Sequence, residues 1–230
     1  MKNTTQMSTT MDAVHTDTLP RQVKGNVGHL DISVMTPREL PAVLDVVARG
    51  MRDNPMHVAA YGADGAVRIR NQRQLMAAAF AVKDLVHTLV ARRADGTIVG
   101  VCGMLPPGGC KITLRDQLRI LPQVLALGLP TAGRVLRWLG VWGKHDPAEP
   151  HWHVGPLAVA RELQGQGIGS ALMRVFCERM DAAGAVAYLE TDKPINVTFY
   201  ERFDFQVIAE ATVIGTPCWF MQRRPIRSSV

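Results

Sequence analysis

The sequence predicts an α/β (α+β) fold, with helices packed on a sheet in one domain. Three observations carry this. Short alternating or continuous apolar segments, such as Leu30-Ile32-Val34, have the period of strands. Between them lie segments with apolar residues at helical spacing. The stretch from His151 to Gly184 then joins an apolar strand, a glycine-rich turn and an amphipathic helix without interruption. The chain has 230 residues, 47% hydrophobic and 20% charged, which suits one domain carrying an insertion or a tail.

The elements follow in order. Residues 1–28 are polar and threonine-rich and predict a disordered extension. They lack the apolar segment of a secretory signal. The first strand runs through Leu30, Ile32 and Val34. Thr36-Pro37-Arg38-Glu39 reads as a capping box with proline at the first helical position. The helix it opens carries Leu40, Val43, Leu44 and Val47, with Pro41 disturbing its first turn. Arg52 to Arg70 reads as a loop, broken by Asn54-Pro55 and Gly62 to Gly65. Gln72 to Val86 has a second helical pattern. Thr88 to Ala91 and Ile98 to Val101 flank Asp95-Gly96, a dipeptide suited to a type I′ hairpin turn.

About forty residues then precede the next strand, which is long for a connection. This insert, residues 105–150, holds two helical stretches, Leu114 to Leu127 and Thr131 to Trp142. Arg119, Pro122, Pro130, Arg134 and Arg137 argue against a membrane span. A lid or wall over a substrate pocket is the preferred expectation, with a membrane-surface helix as the alternative. Trp138 and Trp142 are candidates for an exposed interface in a homodimer.

The strand at Val154 to Ala160 contains Gly155-Pro156. Proline cannot donate to a ladder, so pairing should bulge or stop there and leave amides and carbonyls for a ligand. The turn Gln164-Gly165-Gln166-Gly167-Ile168-Gly169 opens the helix through Leu172, Val175 and Phe176. Its first amides have no partner within the helix, the dipole makes that end positive, and glycines let an anion approach, so a phosphate group is the expected guest. A P-loop fails because Ser170-Ala171 follow the glycines instead of lysine and serine. A dinucleotide fingerprint is a near miss, since its sixth position is Ser170 and not glycine. Gly184 should cap the helix. Ala185 to Glu190 is a strand, Asn196 to Phe203 a short helix, and Phe205 to Val213 and Cys218 to Arg223 two closing strands.

Gln164-x-x-Gly167-x-Gly169 resembles motif A of the GNAT superfamily of acyl-CoA-dependent N-acyltransferases. Asn196-Val197-Thr198-Phe199-Tyr200-Glu201-Arg202-Phe203-Asp204-Phe205 is similar to that superfamily's next motif, except that Asp204 stands where glycine is usual. The resemblance covers Leu30 to Arg224, places the domain at 29–225 with 226–230 as a tail, and leaves the 105–150 insert outside it. It implies a GNAT-like mixed, mostly antiparallel sheet of six to seven strands with splayed central strands. Asp204 is then expected in a left-handed conformation, which aspartate tolerates better than most residues.

The resemblance also implies roles. Backbone groups of Leu157, Ala158 and Val159 would pair with the pantetheine arm of acetyl-CoA. Amides of Gln164, Gly165, Gln166, Gly167, Ile168, Gly169 and Ser170 would cradle its pyrophosphate, and Asn196 would contact it. The Val159 amide would hold the oxyanion, and Tyr200 would protonate the departing thiolate, although a buried tyrosine is also ordinary core content. Glu190, then His153, are candidate bases, with His151 and Glu149 nearby. The acceptor would be a primary amine of a small molecule or peptide.

The formal net charge of +6 suits an acidic coenzyme, while no basic cluster is dense enough to argue for nucleic acid. Cys102, Cys110, Cys177 and Cys218 form no Cys-x-x-Cys pair, which with the absent signal predicts a reduced, cytoplasmic protein. His151-x-His153 lacks an apparent third ligand, so no metal is expected. A non-catalytic acyl-CoA-binding or membrane-associated module on the same fold, and a dinucleotide-binding oxidoreductase, are the alternatives.

Overall fold

A computed structural model describes residues 21–25, 28–82, 87–110 and 113–226. Among them, eight strands form one sheet in the order β1-β2-β3-β4-β5-β6-β8-β7. The strands are β1 (Arg21–Gly25), β2 (Gly28–Val34), β3 (Leu89–Arg92), β4 (Ile98–Leu105), β5 (Trp152–Val159), β6 (Ala187–Thr191), β7 (Gln206–Val213) and β8 (Thr216–Arg223). Every pairing is antiparallel except β5 with β6. The expected class and mixed sheet are therefore present, and the doubly wound parallel sheet of a dinucleotide-binding fold is not. Strand β1 adds an outer strand ahead of the start expected at residue 29. Residues 1–20 of the expected extension, Lys83 to Val86 of the second helical pattern, and Arg227 to Val230 of the tail lie outside the described residues.

The helices are α1 (Leu40–Gly50), α2 (Pro55–Tyr61), α3 (Gly65–Val82), α4 (Leu114–Leu125), α5 (Leu129–His145), α6 (Ile168–Ala182) and α7 (Pro194–Glu201). A 3-10 turn at Pro37–Glu39 precedes α1, the irregularity Pro41 implied. The Thr36 amide donates to the Glu39 carboxylate at 2.6 Å, as a capping box requires. The loop expected from Arg52 to Arg70 is instead two helices. Asn54-Pro55 and Gly62 bound α2 as its N-terminus and its left-handed C-cap region (Gly62 φ 93°), and Asp64 accepts from Ala66 and Val67 to cap α3. The apparent breakers were helix boundaries. The Asp95-Gly96 hairpin is not type I′. Only Gly96 has positive φ (82°), and Arg93 N–H bonds to Thr97 O while Gly96 N–H bonds to Arg93 O, a three-residue loop ending in a left-handed glycine.

Three cores pack on the sheet, the smallest joining Val43 and Val47 of α1 to Val90, Val101 and Ala158. One packs Ile168, Leu172, Val175 and Phe176 of α6 against Leu89, Val99, Trp152 and Leu189. Gly100 allows this: a Cβ there would sit 2.8 Å from Ile168 and 2.9 Å from Leu172. The second core joins Met56, Tyr61 and Leu75 to Val124, Val135 and Trp138 of the insert and to Val213 and Phe220. The insert thus packs on α2, α3 and the far end of the sheet. Trp138 is 5% exposed and sits edge-on to Trp142 at 5.1 Å, so the exposed tryptophan pair expected at an interface is part of the chain's own core. Leu114, Leu118, Leu121 and Leu125 remain outward on α4. No described helix is long and apolar enough to cross a membrane.

Candidate active site

The site begins where β5 leaves β6. The two strands pair only at Trp152 with Ala187 and His153 with Tyr188. Beyond that point β5 stays on β4, with a register shift between Cys102 and Met104. Gly103 faces the cis Gly155-Pro156 bond at this bulge, and a Cβ on Gly103 would collide with Gly155 O. Ala160 N–H donates to Val99 O. Because groups alternate along a strand, the backbone of Ala158 also turns to β4, while that of Leu157 and Val159 turns to the side β6 has vacated. Leu157, Ala158 and Val159 all line the cleft that opens here, with the backbone groups of Leu157 and Val159 on its polar edge.

This open edge is one wall of a cleft of about 380 Å³. The α6 N-terminus is another. Gly167 is its N-cap in a left-handed conformation (φ 89°), and Gly165 is left-handed too (φ 78°). Gln164, Gly165, Gly167, Ile168, Gly169 and Ser170 line the cleft. Gln166 does not, and its side chain turns back to Glu162 O at 3.2 Å. The Gln164 amide ties the turn to the scaffold through Gly50 O at 3.0 Å and Val159 O at 3.1 Å. The Gly50 end of α1 approaches so closely that a Cβ there would lie 2.5 Å from Val159 O.

The third wall is α7 with the loop before it. Asn196 donates to Thr191 Oγ1 at 3.0 Å, and Tyr200 reaches the cleft among Phe199 and Phe205. Burial pushes the Tyr200 phenol up, so it stays protonated in the neutral range. The turn after α7 places Asp204 at φ 64°, the left-handed conformation expected for it. Sequence reading missed Lys193 and Arg202, whose cations line this cleft, with the Arg202 guanidinium 5.4 Å from the Phe199 ring centre. Their only signal was position, Lys193 just before the Asn196 to Phe205 motif and Arg202 within it. Met51 and Asn54 also line it, and among the described residues none of the 105–150 insert does.

Glu190 and His153 are not in the cleft lining but meet at the fork between β5 and β6, with His153 Nε2 2.8 Å from Glu190 Oε2. The Glu190 side chain is 4% exposed. Burial works against charge on His153, yet the Glu190 carboxylate and Cys110 outweigh it and hold its pKa well above the ordinary value. Cys110 Sγ lies 2.9 Å from His153 Nδ1 and 4.0 Å from His151 Nε2. Burial raises that thiol, and the two histidines outweigh it and lower it. Asp146 Oδ1 is 3.2 Å from His151 Nε2. Ligand atoms of Cys110, Asp146 and His153 lie within 4.8 Å of one another, a group that holds one histidine of the His151-x-His153 pair. Glu149 stands apart, paired with Arg224 at 3.0 Å.

The architecture has known counterparts. A crystal structure described as histone acetyltransferase HPA2 and related acetyltransferase, from Corynebacterium glutamicum, superposes with a TM-score of 0.64 at 20% identity, covering 86% of this chain and 98% of its own. A polyamine N-acetyltransferase from Drosophila melanogaster gives 0.58 at 13% identity, over 85% and 99%. A GNAT family acetyltransferase from Brucella melitensis, in complex with acetyl-CoA, gives 0.50 at 18% identity, over 88% and 92%. These identities establish likeness of fold. Residues 63–205, which include both cleft motifs, match the model of the acetyltransferase (GNAT) family. That match spans more than half of the sequence, and the chain belongs to this family.

Proposed function

We propose that this protein transfers an acetyl group from acetyl-CoA to a primary amine of a small molecule or peptide by direct attack. The observation that carries the reading is the cleft itself. It combines an unpaired strand edge at Leu157 and Val159, the amides of a helix N-terminus, two cations and a buried tyrosine. The open edge takes the pantetheine amides as an added strand would be taken. The Gly165 to Ser170 amides, with Lys193 and Arg202, take the phosphates.

The proton inventory follows. An amine with a pKa near 10 arrives as an ammonium and must lose a proton before attack. Glu190, oriented by His153 where β5 leaves β6, is the acceptor, and because it lies behind the cleft wall it takes the proton through water. The free amine attacks the thioester carbon, and an N–H of the open edge, Val159 or Leu157, meets the oxyanion. As the C–S bond breaks, the Tyr200 hydroxyl gives its proton to sulfur, and the proton that the attacking nitrogen must still shed to become an amide returns to Tyr200 by way of solvent. The chemistry of the named neighbours, a polyamine N-acetyltransferase and an arylalkylamine N-acetyltransferase from Aedes aegypti, supports small amines as the first acceptors to try.

The test is CoA-thiol release from acetyl-CoA across a panel of polyamines, arylalkylamines and peptide N-termini, beside a thermal-shift titration with acetyl-CoA. Release with at least one amine, lost in Tyr200→Phe while the thermal shift persists, is the expected result. A coenzyme shift without turnover on any amine would leave a binding module. No shift at all would remove the proposal.

A further inference from the structure

We propose that Cys110, Asp146, His151 and His153 bind one divalent transition-metal ion, zinc by the character of the donors. The four residues come from both roots of the insert and from the start of β5. Cys110 follows β4, Asp146 is the residue after α5, His151 immediately precedes β5 and His153 is its second residue. None of them lines the coenzyme cleft.

The argument rests on which atoms can carry protons. His151 Nδ1 lies 2.8 Å from the Glu149 carbonyl oxygen. A carbonyl only accepts, so the His151 proton is on Nδ1 and the lone pair on Nε2. That lone pair faces Asp146 Oδ1 at 3.2 Å and Cys110 Sγ at 4.0 Å. His153 Nε2 lies 2.8 Å from the Glu190 carboxylate, so its proton is there and its Nδ1 lone pair faces Cys110 Sγ at 2.9 Å. Donor atoms of Cys110, Asp146 and His153 thus lie within 4.8 Å of one another, and His151 Nε2 adjoins the group through Asp146 and Cys110. Such a set is held together either by protons, on the Cys110 thiol and on the rings, or by one positive ion among the donors.

The donor set decides for the metal. One sulfur, two imidazole nitrogens and one carboxylate oxygen match the borderline-soft preference of zinc. Each histidine already has the outer partner that metal-bound imidazoles use to fix their tautomer, a backbone carbonyl for His151 and a carboxylate for His153. Tetrahedral bonds of about 2.0–2.3 Å put ligand atoms about 3.3–3.6 Å apart. The shortest separations, 2.9, 3.2 and 4.0 Å, bracket that range, and rotation of the partly exposed Cys110, Asp146 and His153 side chains would draw in the rest. With four protein ligands the site is closed and structural. It would pin both ends of the insert to β5 and keep the His153 N–H on Glu190, which leaves Glu190 and not His153 as the proton acceptor.

The cysteines make a direct test on the wild-type chain. Cys102, Cys177 and Cys218 are buried and Cys110 is half-exposed. Chelator-treated native protein should show one fast thiol towards a disulfide reagent, and one equivalent of Zn²⁺ should slow it at least about ten-fold. Cobalt should saturate at one equivalent with tetrahedral d–d bands and a sulfur-to-cobalt charge-transfer band. Cys110→Ser should lose that band, and Asp146→Asn should weaken cobalt binding at least about ten-fold. A thiol rate unchanged by zinc, or cobalt spectra identical in wild type and Cys110→Ser, would overturn the proposal. If either variant fails to fold, the wild-type thiol measurement still decides.

Discussion

Gly169→Ala separates the glycine turn's role in folding from its role in binding, because it should move the two in opposite directions. Gly169 is the second residue of α6, two residues after the left-handed N-cap Gly167. Its φ is not positive, so alanine adopts its backbone without strain. A Cβ at this position would lie 3.8 Å from Phe199 Cζ and 3.8 Å from Val159 Cγ2, which is ordinary van der Waals contact. Nothing in the protein therefore resists the methyl group. Alanine in place of a helical glycine should add about 0.5–1 kcal/mol of stability, or about 1–4 °C in Tm for a chain of this size. The methyl nevertheless projects between two walls of the cleft, against the amides proposed to hold the pyrophosphate. Crowding a close contact there should cost about 1–3 kcal/mol, a weakening of roughly 5- to 150-fold in coenzyme Kd. Calorimetric titration with acetyl-CoA and a thermal melt of the free protein measure the two terms. A raised Tm with unchanged affinity would refute the placing of the phosphates on this turn. A lowered Tm would refute the packing argument itself.

Three further predictions follow from the same geometry. Tyr200→Phe should lower kcat by about 10²–10⁴-fold with little change in coenzyme affinity, as loss of a positioned acid does, and steady-state kinetics with the best amine of the panel will show it. Gly50→Ala should cost about 1–3 kcal/mol in urea unfolding, since its Cβ would stand 2.5 Å from the backbone oxygen of Val159 and neither α1 nor β5 can yield freely. Glu39 should carry acid sensitivity. The Arg92 hydrogen bond, with those from Thr36, outweighs burial and brings its pKa from 4.5 to about 2. A carboxyl with a lowered folded pKa contributes stability that is complete above the unfolded value and lost as pH falls through the folded one. Wild type should thus lose on the order of 2 kcal/mol between about pH 4.5 and pH 2 that Glu39→Gln never had. Parallel denaturant curves across that range, with no difference in slope against pH, would contradict this.

What the sequence made legible was local. Helical period located α1, α4, α5 and α6. The Gly155-Pro156 pair marked the bulge, and Gly184 and Asp204 marked their left-handed caps because each is a property of a few adjacent residues. The loop expected at Arg52 to Arg70 failed for a related reason: proline and glycine mark helix ends as often as loops, and only the capping bonds of Asp64 and the burial of Met56 and Tyr61 tell the two apart. What stayed hidden depends on register and on distance along the chain. Whether Ala158 or its neighbours face the coenzyme is a matter of parity, set by where the bulge opposite Gly103 falls. The cluster of Cys110, Asp146, His151 and His153 spans more than forty residues with no metal-ligand spacing to betray it. Its two halves meet because the insert leaves the sheet at the end of β4 and returns at the start of β5, adjacent strands whose ends lie side by side where Leu105 pairs with His153. An insert rooted at such a point brings its first and last residues together whatever its middle does. The roots of the insert, more than its apolar helices, are therefore where its contribution to the site should be sought.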